Sequence, residues 1–146
     1  MILPPALRRD LSRLRSVAID HVRNQSAEAW TITCSSGVHP LPVLIRAGAA
    51  PVVLGRPGVL LGAIDDPRFQ DAQVVLQDGD AVVVYTDGVT EGRQGDDWFG
   101  ESGLHAAIAK AGASAQALTD QVLHDVLEFQ HHFPRDDIAV VAIRAP

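Results

Sequence analysis

The sequence predicts an α+β fold, in which a mostly antiparallel sheet carries helices segregated to one face. Short strand-like segments, separated by Gly, Pro and polar turn residues, occupy most of the chain from Ser16 to Tyr85. The apolar period then lengthens from about two to about 3.6 residues over two helical segments, before a final β-rich segment. Because the chain has 146 residues, we expect a single domain over residues 1–146.

Composition excludes several classes of function. The apolar fraction of 47% and the charged fraction of 21% are typical of a soluble globular protein. The net charge is −6, and the arginines between Arg8 and Arg23 resemble the solvated face of a helix, so we expect no nucleic-acid partner. Charge close to the N-terminus and the shortness of the apolar runs predict a cytoplasmic protein with no signal peptide and no membrane span. Cys34 is the only cysteine, which excludes an internal disulfide.

The first half of the chain predicts one helix and a series of strands. Pro4 and Pro5 suit a helix start, and Leu7, Leu11 and Leu14 follow at helical spacing. Turn residues and apolar alternation then predict four short strands, which are Ser16–Val22, Ala29–Gly37, Pro42–Gly48 and Pro51–Gly55. Alternating Ala72, Val74 and Leu76 predict another strand, and Asp78-Gly79 predicts a hairpin that joins it to the next.

The unbroken apolar run Val82–Tyr85 predicts a strand that is buried on both faces. Two helices should follow: one over Glu101–Gly112, and one that Ser114 caps. The apolar stripe of the second helix contains Leu118, Val122, Leu123, Val126, Leu127 and Phe129. The last segment, Arg135–Arg144, is expected to be a central strand of the sheet.

Carboxylates stand at the ends of two predicted strands. Asp87 follows one strand, and Asp136 and Asp137 precede the other. If these strands are antiparallel neighbours, Asp87 and Asp136 point into the same edge of the sheet. Two such close carboxylates repel each other unless they share a proton or a cation, and Mg²⁺ or Mn²⁺ prefers oxygen ligands of this kind. The alternative is that Asp87 is a turn residue and that Asp136 is a loop residue.

Several motifs occur together in a recognisable order. "LQDGDAVVVYTDGVTEGR", "WFGESGL" and "RDDIAVVAIR" follow one another, and "SSGVHPLPVLIR" lies upstream. From about Ser16 to Arg144, the chain resembles the C-terminal part of the SpoIIE-type branch of the PPM metal-dependent protein serine/threonine phosphatases.

The resemblance implies a β-sandwich flanked by helices, N-terminally truncated in this chain. It also implies a binuclear Mg²⁺ or Mn²⁺ centre whose water attacks phosphorus directly, so that no catalytic residue is expected beyond the metal ligands. By this resemblance Asp87 and Asp136 are metal ligands, and Asp137 is a substitute for Asp136. Gly88 would let the backbone turn tightly beside the ion.

The resemblance further implies a phosphoprotein substrate, such as an anti-sigma-factor antagonist, in bacterial signalling. The chain departs from the family pattern because the N-terminal Asp-rich strand and the Gly-Asp-Val-Ser-Gly turn are missing. Gly37-Val38-His39 also carries an added residue between Gly and His. These departures leave the binuclear site incomplete and keep open an alternative, a catalytically inactive phosphatase-like module that binds a partner protein. Missing strands would also leave sheet surface uncovered and favour self-association.

Overall fold

The computed structural model of the protein describes residues 17–26, 29–60, 64–66 and 68–146. The helix predicted around Leu7–Leu14 lies outside these residues. The strands of the described part are β1 (Val17–Ser26), β2 (Ala29–Ser36), β3 (Val43–Ile45), β4 (Val52–Val53), β5 (Ala72–Leu76), β6 (Ala81–Tyr85), β7 (Arg93–Gln94), β8 (Asp97–Trp98) and β9 (Val140–Arg144). The helices are α1 (Asp87–Thr90), α2 (Gly100–Lys110) and α3 (Ala115–Phe129).

The chain divides into two compact units. The first contains Met1–Leu41 and Leu54–Val75, and the second contains Pro42–Val53 and Leu76–Pro146. No helix among the described residues is both long enough and apolar enough to cross a membrane.

The first unit is built on a three-stranded sheet in the order β1-β2-β5. β1 and β2 pair antiparallel, with Val17 opposite Ser36, and the register shifts twice along the pair. Within β2, Ile32 and Cys34 are both buried as the predicted alternation requires, but Thr31 is buried as well, so the alternation is confirmed only in part.

The second unit contains a four-stranded antiparallel sheet in the order β4-β3-β6-β9. The central strand β6 is buried along nearly its whole length, as its apolar run predicts. Since side chains alternate along a strand, Val83 and Tyr85 share one face, and both belong to the core that α2 and α3 complete. The predicted α+β class with antiparallel pairing is therefore confirmed.

Helices α2 and α3 cover this face of the sheet. The predicted cap is present, because the side chain of Ser114 accepts a hydrogen bond from the backbone N–H of Ala117 at 3.0 Å. The stripe of α3 is confirmed for its buried members, which are Leu118, Val122 and Val126. Leu123 is an exception, because 41% of it is exposed to solvent.

The hairpin predicted at Asp78-Gly79 is wrong, because β5 and β6 belong to different sheets. A turn does form there, and Gly79 takes the left-handed φ of +82° that favours glycine. The carboxylate of Asp80 accepts hydrogen bonds from the Gln77 N–H at 3.1 Å and from Arg46 at 2.9 Å. These contacts tie the turn to the end of β3 rather than letting β6 fold back on β5.

Three further features differ from the sequence-based expectation. β9 is not central, because among the described residues its only strand neighbour is β6, and Val141 is 56% exposed. The four-residue helix α1 replaces the turn expected after β6. Strands β7 and β8 form a small hairpin that the sequence analysis missed, with the guanidinium of Arg93 stacked 3.6 Å above the centre of the Trp98 ring.

We predict that Asp80→Ala lowers the free energy of unfolding by about 1.5–3 kcal/mol, the usual contribution of hydrogen bonds to a charged group. The reason is that only 4% of the Asp80 side chain is exposed, so its loss leaves Arg46 and the Gln77 N–H without their acceptor. Urea unfolding measures the change. Gln77→Ala is the matched control, since it keeps the backbone N–H of Gln77 that donates to Asp80. Equal stability of the two variants would contradict the prediction.

Candidate metal centre

The pairing of β6 with β9 brings two distant segments of the chain to one edge of the sheet. The ladder ends with Tyr85 opposite Val140, and one more backbone hydrogen bond joins the Thr86 N–H to the Ala139 carbonyl at 3.0 Å. Because the strands are antiparallel, the residues after β6 meet the residues before β9. Asp87 and Asp136 therefore lie at the same edge.

The short helix α1 adds a third carboxylate. Asp87 is its first residue, and Glu91 caps its C-terminal end, with the Glu91 N–H donating to the Asp87 carbonyl at 2.7 Å. Residues four apart on a helix face the same side. Glu91 is not among the ligands predicted from the sequence, because this stretch was expected to form a turn. The Asp-x-x-x-Glu spacing is the signal that could have revealed it.

Asp87, Glu91 and Asp136 each offer a carboxylate oxygen, and the three oxygens all lie within 4.8 Å of one another. Two ligands on opposite sides of a Mg²⁺ ion lie about 4 Å apart, so small side-chain rotations would let all three converge on one ion. One oxygen of Asp87 is shielded from solvent, whereas Glu91 and Asp136 are exposed. The donor set therefore fits a hard divalent cation.

Asp136 also makes a hydrogen bond within its own loop. Its Oδ1 accepts from the Asp137 N–H at 2.8 Å. Asp137 was expected to be a substitute ligand, but its carboxylate is not one of the three that cluster in the described residues. Its backbone carbonyl instead accepts a hydrogen bond from the Thr86 hydroxyl at 2.7 Å.

Gly88 is needed here for close approach. Its φ is not in the left-handed region, so a tight glycine-only turn does not account for it. A Cβ atom at this position would lie 2.5 Å from the carbonyl oxygen of Asp137 and 3.4 Å from the carbonyl carbon of Asp136. The missing side chain therefore lets α1 contact the backbone that carries Asp136.

The family model for stage II sporulation protein E (SpoIIE) matches residues 5–146. The chain belongs to this family. A search of curated protein sequences gave no significant match.

Solved structures show the same fold. The SpoIIE phosphatase domain from Bacillus subtilis matches with a TM-score of 0.64 and 17% identity, over 95% of this chain and 63% of that one. The SiaA-PP2C domain of Pseudomonas aeruginosa matches with a TM-score of 0.62 and 19% identity, over 81% of this chain and 50% of that one. A Mycobacterium tuberculosis structure of RsbU and RsbW domains matches with a TM-score of 0.58 and 28% identity. The match covers 78% of this chain and 32% of that one. The SpoIIE-family chain thus spans less than two thirds of the Bacillus phosphatase domain.

Three histidines and Cys34 lie outside the acidic cluster of this SpoIIE-family chain. His39 belongs to the first unit, where its backbone carbonyl accepts from the Ser36 hydroxyl at 3.1 Å. His131 and His132 are exposed and follow α3 in left-handed backbone conformations. Cys34 is buried, and burial, followed by the charge of Asp71, raises the pKa of its thiol.

We predict that Gly88→Ala destabilises the fold by about 1–3 kcal/mol, the usual range for overpacking, because the new methyl group meets the Asp137 carbonyl. Urea unfolding tests this. Gly112→Ala is the control, since its Cβ would lie 3.2 Å from a side-chain methyl group instead of a backbone carbonyl. A Gly88→Ala variant as stable as Gly112→Ala would contradict the prediction.

We also predict that the Cys34 thiol reacts slowly with iodoacetamide at neutral pH. The raised pKa keeps the thiol protonated, and the thiolate is the reactive species. Mass spectrometry should show slower alkylation in the folded chain than in urea, with the rate rising as the pH increases. Equal rates in the two states would show that Cys34 is not protected.

Proposed function

We propose that this SpoIIE-family chain carries part of the active centre of a metal-dependent protein serine/threonine phosphatase. The observation that carries the proposal is the meeting of Asp87, Glu91 and Asp136 at one edge of the sheet, in a chain of this family. Asp87 and Asp136 are the ligands that the sequence predicts, and Glu91 is the ligand that the geometry adds.

Each of the three residues has a distinct part in binding the cation. Asp87 has the least exposed carboxylate of the cluster, so it fixes the inner side of the site. Asp136 is oriented by the N–H of Asp137, which occupies one of its oxygens at 2.8 Å. Glu91, at the exposed end of α1, adds a ligand on the solvent side of the site. Mg²⁺ and Mn²⁺ both suit such an oxygen set.

A divalent cation held there would lower the pKa of bound water and neutralise charge on phosphoryl oxygens. The residues of this chain provide the negative charge that holds the cation and the open side that admits a substrate. The exposure of Glu91 and Asp136 suits a large substrate, because a phosphorylated side chain of another protein can reach an edge of this kind.

The comparisons support a divalent ion and a phosphoprotein substrate. One Bacillus SpoIIE phosphatase-domain structure was presoaked with Mn, and the Mycobacterium structure contains RsbU and RsbW domains together. We propose Mn²⁺ or Mg²⁺ as the cofactor and a phosphorylated anti-sigma-factor antagonist as the substrate class, in bacterial signalling. Self-association through uncovered sheet surface stays a prediction.

A second candidate is a catalytically inactive module that binds a partner protein. It is favoured by the size of the acidic cluster: a search of the described residues finds one group of three carboxylates, whereas the family resemblance implies a binuclear centre with further ligands. In this case Asp87 and Asp136 would contribute to structure or to weak cation binding without turnover.

We expect the chain to hydrolyse p-nitrophenyl phosphate or a phosphoserine peptide only with millimolar Mn²⁺ or Mg²⁺. Asp87→Asn and Asp136→Asn should each weaken Mn²⁺ binding by more than the about 10- to 100-fold that the loss of a supporting residue costs. Asp97→Asn is the matched control, because Asp97 is exposed in the β7–β8 hairpin and lies outside the cluster.

The two candidates give different outcomes. Turnover that Asp87→Asn abolishes supports the phosphatase. No turnover, together with capture of the phosphoprotein that survives Asp87→Asn, supports the binding module. Mn²⁺ binding that neither Asp→Asn variant changes would overturn the metal site itself.

A further inference from the structure

Thr86 stands between the end of β6 and the first ligand of the proposed site, and it makes three hydrogen bonds to the segment before β9. Its N–H donates to the Ala139 carbonyl at 3.0 Å. Its hydroxyl accepts from the Ala139 N–H at 2.9 Å and donates to the Asp137 carbonyl at 2.7 Å. One residue therefore carries the link between the two strands past the end of the regular ladder.

The hydroxyl uses both of its capacities in these contacts. It has one O–H to donate and lone pairs to accept, and the two backbone partners require one of each. Serine offers the same chemistry, whereas valine has the same shape and offers neither. The position therefore demands a hydroxyl, which the preference for β-branched residues in strands does not explain.

These contacts flank the two ligands in sequence. Thr86 directly precedes Asp87, and its acceptor Asp137 directly follows Asp136. The hydrogen bond therefore closes a short path between the two carboxylates, through one side chain and two peptide units. On the other side of Asp87, Gly88 allows the backbone contact with Asp137. The separation of the two carboxylates depends on both neighbours of Asp87.

We propose that Thr86 is a positioning residue for the cation site, in which its hydroxyl holds Asp136 at the distance from Asp87 that a small divalent ion requires. This inference rests on the proposed function. It assigns to Thr86 a contribution to metal affinity and to metal selectivity in addition to its contribution to strand pairing.

The test compares Thr86→Val, Thr86→Ser and the unmutated chain in two titrations. In the Mn²⁺ titration, electron paramagnetic resonance measures the free ion; the Ca²⁺ titration is calorimetric. Loss of a supporting contact costs about 10- to 100-fold in metal affinity, so Thr86→Val should weaken Mn²⁺ binding by at least about tenfold. Thr86→Ser should stay within about threefold of the unmutated chain, because it keeps both hydrogen bonds. Ca²⁺ accepts longer and more variable distances, so its affinity should fall less than that of Mn²⁺.

Thr33→Val is the matched control, since it removes a hydroxyl that accepts from Gln73 at 3.2 Å in the first unit. It should leave both metal affinities unchanged even if the melting temperature falls. Asp87→Asn distinguishes failure of the positioning inference from failure of the proposed site. If Asp87→Asn loses Mn²⁺ binding while Thr86→Val binds like the unmutated chain, the positioning inference is overturned and the proposed site stands.

Other outcomes also decide the inference. If Asp87→Asn binds Mn²⁺ normally, both the proposed site and this inference fail. If Thr86→Val does not fold, Thr86→Ser decides the matter, because a serine variant with Mn²⁺ affinity reduced tenfold or more contradicts the hydroxyl-based explanation. Equal losses of Mn²⁺ and Ca²⁺ affinity in Thr86→Val would reduce Thr86 to a structural residue and overturn the proposal.

Discussion

The antiparallel pairing of β6 with β9 is the constraint on which the candidate site depends. The register runs from Ala81 opposite Arg144 to Tyr85 opposite Val140. This pairing joins residues that are 55 to 63 positions apart, so it determines which loops meet beyond its end. A slip of one residue would turn the side chains of one strand to the opposite faces of the sheet, so the buried residues Val83 and Tyr85 also fix where Asp87 emerges.

The core of the second unit supports this edge from the helix side. Phe99 is buried, and its ring contacts that of Phe129 edge to face at 5.6 Å, which ties the start of α2 to the end of α3. The backbone after Glu91 lies close to the end of α3, because a Cβ on Gly92 would lie 2.8 Å from the buried side chain of Gln130. Glu91 therefore lies between α1 on one side and the end of α3 on the other.

Local sequence patterns were enough to predict the elements that depend on near neighbours in the chain. The cap at Ser114, the buried stripe of α3 and the apolar β6 are all present because burial and capping operate within a few residues. The adjacency of Asp87 and Asp136 also followed from strand polarity. The Asp78-Gly79 prediction failed because β6 pairs with β3 and β9, which are distant in the chain, and Arg46, more than 30 residues away, binds Asp80 beside the turn. Glu91 was missed because a helix of four residues is too short to show a helical period in the sequence.

The division of exposure within the acidic cluster explains how it can exist in a stable fold. Exposed carboxylates interact through water, in which charges 4 Å apart cost about 1 kcal/mol, whereas buried ones repel far more strongly. Glu91 and Asp136 are exposed, and only Asp87 brings its charge partly into the protein. The fold therefore pays a modest electrostatic cost for the cluster. A cation that binds only the folded chain would offset this cost by mass action and add to its stability. The same exposure that makes the cluster tolerable also leaves it open to solvent, as the proposed phosphoprotein substrate would require.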